Sequence, residues 1–166
     1  MLRTTSDYYM PYSQVQNSPH CTKLLITQYL NSGNELNLPL AVQKALQGEI
    51  SECLELVKNN SEDLGYGDRH IIKVYASYFG SVDEYCELSE LLSSRSHGIY
   101  PIIASCGNIE MIDYLMNKRG WEYECDEEEY ALYGEYFTRY QIVMDMLQFA
   151  ASFNEVETCE FLMEKK

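Results

Sequence analysis

One spacing pattern occurs four times in this chain and constrains its fold more than any other feature. The segments Gly48–Leu56, Gly80–Leu88, Gly107–Leu115 and Asn154–Leu162 align without gaps on [GN]-x-[IV]-x-x-[CYI]-x-x-L. Three residues before each Gly or Asn stands a small residue: Ala45, Ser77, Ala104 and Ala151. Eight residues before it stands an aliphatic residue or Met: Leu40, Ile72, Ile99 and Met146.

The pattern has a direct physical reading. Apolar side chains at offsets zero, three, six and seven form one stripe along a helix. Ile50/Cys53/Leu56/Val57, Ile109/Ile112/Leu115/Met116 and Val156/Cys159/Leu162/Met163 fill that stripe, whereas Val82/Tyr85/Leu88 is followed by Ser89. Gly or Asn two residues ahead of the stripe suits the left-handed turn that ends a preceding helix. The small residue before it lets two antiparallel helices approach closely. Each unit is therefore expected to be a short helix, a tight turn and a longer helix, and four such units make an all-α chain. Other helical-repeat arrangements, or an irregular α-domain, satisfy the same periodicity.

Two stretches carry a family resemblance. Leu38-Pro39-Leu40-Ala41-Val42-Gln43-Lys44-Ala45-Leu46-Gln47-Gly48 resembles the T-P-L-H-x-A-A-x-x-G opening of an ankyrin repeat, with one extra residue between Pro and Gly. Ile103-Ala104-Ser105-Cys106-Gly107 followed by Ile109-Glu110-Met111-Ile112-Asp113-Tyr114-Leu115 resembles it more fully. The likeness spans residues 36 to 166, with uneven spacings of 32, 27 and 47 residues from Gly48 through Gly80 and Gly107 to Asn154. It implies an ankyrin-like helical-pair solenoid of about four to five irregular repeats. It also implies a non-catalytic module that binds another protein on its concave face and loop tips. The irregular lengths resemble the arrays of large DNA viruses and intracellular bacteria, which implies a host-directed binder.

The remaining segments are placed around the array. Thr22 to Gly33 reads as an amphipathic helix stopped by Gly, an N-terminal half-repeat acting as a cap. Residues 1–20, with Pro11 and Pro19, read as an extended or mobile tail, and 21–166 as one repeat domain. Residues 119–141 form an insertion rich in Asp, Glu and aromatic residues. Gly65-Tyr66-Gly67-Asp68 reads as a loop between units; it lacks the Lys and Ser/Thr of a phosphate-binding loop.

Charge narrows the partner. The 166 residues carry 26 Asp+Glu against 12 Lys+Arg, a formal net charge of −14. That balance argues against direct binding of nucleic-acid phosphates or of anionic lipid. The expected partner is a protein, with a basic one favoured by the acidity. Loop position or residue type selects Tyr66, Arg69, Arg95, His97, Tyr100, Trp121 and Tyr123 as contact residues, together with Glu127, Glu128 and Glu129 of the insertion. A second reading treats the chain as an acidic decoy that imitates nucleic acid and sequesters a basic protein.

No catalytic constellation, cofactor motif or metal-ligand spacing stands out. His20, His70 and His97 form no i, i+3 or i, i+4 pair. The six cysteines, Cys21, Cys53, Cys86, Cys106, Cys125 and Cys159, include no C-x-x-C. Cys53 and Cys159 share one repeat position and Cys86 lies one residue off it, which places them in a core. The expectation is an intracellular, cytoplasmic protein, with a nuclear location left open as the alternative. Monomer and dimer both fit.

Overall fold

The computed structural model of the chain describes residues 19–60, 64–92, 103–118 and 142–165. These are all-helical, with no strand among them. In chain order they form α1 (Pro19–Asn31), α2 (Leu40–Leu46), α3 (Ile50–Asn60), α4 (Tyr66–Phe79), α5 (Val82–Leu91), α6 (Ile109–Lys118), α7 (142–152) and α8 (Val156–Glu164). Residues 103–104 are helical just before the turn into α6.

Helix boundaries follow local chemistry. The α2–α3 turn is closed by Gly48 N–H to Ala45 O and Glu49 N–H to Lys44 O, both 2.9 Å, with Gly48 at φ 75°. This double bond is the Schellman termination that a left-handed residue allows. Asn154 (φ 60°) does the same before α8, where its N–H reaches Ala151 O and the Glu155 N–H reaches Ala150 O. Gly107 is also left-handed, at φ 72°. Helix starts are capped by side chains. Ser81 Oγ accepts from Glu84 N–H, and the Glu84 carboxylate accepts from Ser81 N–H at 2.9 Å, a reciprocal capping box. Asn108 Oδ1 accepts from Met111 N–H at 3.1 Å and starts α6.

Gly80 departs from the expected turn. Its φ is −88°, in the extended region, so no left-handed turn ends α4. Glycine is needed there for room. A β-carbon at Gly80 would lie 2.6 Å from Ala76 O and 3.1 Å from Ile50 Cγ2.

The helices pack as pairs, like against like. α2 packs on α3 and α4 on α5; between pairs, α2 packs on α4 and α3 on α5, and α5 continues onto α6. Ser51 Oγ near the start of α3 donates to Glu84 Oε1 near the start of α5, and Lys58 later in α3 pairs with Glu87 at 2.9 Å, so the two helices run parallel. α8 joins α6 in the same sense. Glu155 lies against Gly107, both just ahead of their helices, and Lys165 pairs with Asp113 at 2.8 Å. One core cluster runs from Ala41 to Leu162. Tyr85, Leu88, Ile112, Leu115 and Leu162 within it are fully buried, and each large apolar side chain removed from water contributes about 1.5–3 kcal/mol.

Several local expectations are corrected. α1 begins at Pro19, not near Thr22, so the tail boundary at residue 20 falls inside a helix; Pro suits the first turn because its missing N–H has no helical acceptor there. Tyr66, Gly67 and Asp68 are the first turn of α4 rather than loop, since Asp68 accepts from the Gly65 N–H at 3.0 Å and stabilises the helix start. In the last unit Val156 and Met163 are exposed, whereas Thr158 and Leu162 are buried. Ala151 is likewise exposed and Ala150 buried. The insertion at 119–141 and the tail through residue 18 lie outside the described residues.

Candidate interaction surface

The outward sides of the second helices gather carboxylates. The apolar stripe turns one side of each helix inward, which leaves the polar offsets exposed: Glu52 and Glu55 on α3, Asp83, Glu87 and Glu90 on α5, Glu110 on α6, and Glu157, Glu160 and Glu164 on α8. Because α3, α5, α6 and α8 lie side by side, acids far apart in sequence share one layer.

Some of these acids hold the layer together. Lys44 reaches from α2 to both Glu49 and Glu52 (2.7 Å to the latter), and these two carboxylates raise its pKa above the ordinary lysine value. Lys58 bridges Glu87 and Glu55 at 2.9 and 3.2 Å. Burial pushes the Glu84 carboxyl upward, but the hydrogen bonds from Ser51 and Ser81 outweigh it and leave the pKa below the usual glutamate range. Asp113 is held low by Lys165. Asp83, Glu90, Glu110, Glu157, Glu160 and Glu164 make no ion pair with a described Lys or Arg. They are the carboxylates open to an outside cation.

The contact residues expected from sequence divide in two. Tyr66 is 65% exposed at the first position of α4. Arg69 is half-buried, and its Nε donates to Leu64 O at 3.0 Å, so part of its guanidinium holds the turn ahead of α4. Arg95, His97, Tyr100, Trp121, Tyr123, Glu127, Glu128 and Glu129 lie outside the described residues. Sequence reasoning passed over the carboxylate layer. Its signal was present in the same alignment, at the offsets between the apolar ones, but single helices with an acidic side are ordinary. Only parallel stacking turns four of them into one surface.

The cysteines are packing residues where they are buried. Cys53 has no exposure, and burial pushes its thiol up to about 12. Burial likewise raises Cys106 to about 11, and its Sγ donates to Ile103 O at 3.0 Å. Cys86 and Cys159 are half-buried and Cys21 is exposed; these five thiols are free. Cys125 lies outside the described residues. Among the described residues no three His, Cys, Asp or Glu side chains converge as a metal site would require, and no helix is long and apolar enough to cross a membrane.

No family model, curated protein or solved structure matches this chain.

Proposed function

We propose that this protein is a non-catalytic, ankyrin-like helical-repeat module that docks a basic protein partner on the acidic layer of its second helices. The observation that carries the reading is the side-by-side stacking of α3, α5, α6 and α8, which gathers unpaired carboxylates from three of those helices into one field. Such a field steers a cationic partner into encounter and sets its orientation more than it sets final affinity. Stacked helical pairs also provide an extended, rigid platform of the kind recognition arrays use. Tyr66, exposed at the start of α4, supplies an aromatic anchor of the type that concentrates binding energy.

The test is retrieval of partners from a cell extract by the tagged full chain, at low and high salt, beside a variant carrying Asp83→Asn, Glu90→Gln and Glu110→Gln. These side chains are exposed and bear no described ion pair, so the variant is expected to fold normally. It should lose basic partners that the parent retains. Equal retrieval by both proteins sinks the acidic-layer assignment. Partners held by the parent only at low salt, and lost together as salt rises, would instead support the decoy reading, in which charge alone selects the target.

A further inference from the structure

α1 lies across the first helices of two successive pairs. It packs on α2, and its side chains reach the aromatic end of α4: Thr22 hydrogen-bonds Tyr75, and the His20 ring meets the Tyr78 and Phe79 rings edge-on at 5.2 and 5.3 Å. Lys23 Nζ stands 5.0 Å from the centre of the Phe79 ring. The same ammonium fills a notch beside Gly48, where a β-carbon would lie 2.9 Å from Lys23 Nζ and 3.3 Å from Phe79 Cγ. The left-handed glycine turn after α2 therefore leaves a space that the Phe79 ring borders and a cation occupies.

α1 is held less firmly than the helices beneath it. Of its 13 residues only Pro19 is buried, whereas α4 buries Ile72, Val74, Ala76 and Tyr78. Thr22, Lys23 and Ile26, which make its contacts, are half-buried. The segment after it, residues 32–35, is exposed, and Gly33 turns there at φ 79° with no atom within 4 Å of its β-carbon position. Only beyond that turn is the chain pinned to α2, by Gln43 Nε2 donating to Leu36 O at 3.2 Å and to Leu38 O at 2.9 Å. A detached helix of this length is marginal in water, so α1 folds as it docks. Few buried contacts oppose its release.

We propose that α1 is a displaceable strap over a cation-accepting aromatic surface on α2 and α4, and that a basic amphipathic helix of a partner protein takes its place. This surface is separate from the acidic layer of the second helices. The resident helix shows the chemistry that fits: a lysine for the notch between Phe79 and Gly48 and, three residues on, an aliphatic side chain, Ile26, against the core. The face of an aromatic ring attracts such a cation. Lys23 is the one Lys or Arg in residues 19–34. On a chain of net charge −14, a helix with further cations gains an attraction that α1 lacks.

Hydrogen exchange of the full chain, resolved by segment in a mass spectrometer, tests the strap. Amides of α1 should exchange well ahead of those of α4. Fluorescence anisotropy of a labelled peptide of residues 19–34 tests the surface. Lys23→Glu in the full chain withdraws the resident ammonium and should raise affinity for that peptide about ten-fold over the parent, the gain expected when a strap closed about nine-tenths of the time is released. Adding Phe79→Leu to this variant should abolish the gain. A peptide with Gln28→Lys, a position on the exposed side of α1, should bind tighter, by a margin that shrinks with salt. Circular dichroism confirms that each variant is folded. Amides of α1 protected as well as those of α4 overturn the proposal, and that measurement needs no substitution. It is equally overturned by a folded Lys23→Glu chain with no gain, by a gain that survives Phe79→Leu, or by indifference to the added peptide lysine.

Discussion

Ile50 and Gly80 meet where the first helix pair joins the second: the Ile50 Cγ2 methyl occupies the space a Gly80 side chain would enter, 3.1 Å from its β-carbon position. The Ala76 carbonyl closes the other side at 2.6 Å. Gly80→Ala should therefore destabilise the fold although the local φ of −88° accepts any residue. Overpacking of this kind costs about 1–3 kcal/mol. Urea denaturation of the variant checks it, and an unchanged midpoint would show that the junction yields freely. Ile50→Val in the Gly80→Ala background should not recover the loss fully, because the Ala76 oxygen remains.

Ser89 stands where the neighbouring units place Val57 and Met116. It is buried, and its hydroxyl has no hydrogen-bond partner among the described residues. Burying an unsatisfied hydroxyl costs about 1–3 kcal/mol in mutational series. Ser89→Ala removes that cost at little loss of volume and should raise the thermal midpoint. A fall would mean that the hydroxyl is satisfied in solution.

Acid should weaken the contact between α3 and α5. The folded-state pKa of Glu84 lies below its ordinary value of 4.5, so its contribution is fully present above that value and is lost as pH falls through the lowered folded pKa. Asp113, lowered from 3.8 by Lys165, adds a smaller term of the same sign because it is exposed. Glu84→Gln should be less stable than the parent at neutral pH, and the difference should shrink toward pH 3. A difference independent of pH would mean that the ionised carboxylate contributes nothing beyond its shape.

Thiol reactivity should rank by burial. Cys21 should alkylate readily in the native protein, whereas Cys53, with its thiol pushed up to about 12, should react only on unfolding. Mass-resolved alkylation under native conditions reads both sites at once. Prompt labelling of Cys53 would mean that α3 opens locally far below the global unfolding free energy.

Much of the helical order was legible because it rests on short-range chemistry. The apolar offsets at Ile50, Cys53 and Val57, and at Ile112, Leu115 and Met116, mark buried helix sides, and the left-handed turns at Gly48, Gly107 and Asn154 follow from residue type. Gly80 was read as one more such turn and is not. A glycine kept for φ and a glycine kept for space look alike in one sequence, and only the position of Ile50 separates them.

The sequence by itself determined the helices, their inward sides and the acidic balance, since periodicity, turn chemistry and charge are properties of neighbouring residues. Tertiary structure alone decided which helices lie side by side. That choice gathers Glu90 and Glu110 into one layer with Glu157, buries Thr158 in place of Val156, and leaves Leu24 and Leu25 exposed on α1. The physical reason is that a helix side becomes core or surface according to what packs against it, and packing partners here lie tens of residues apart.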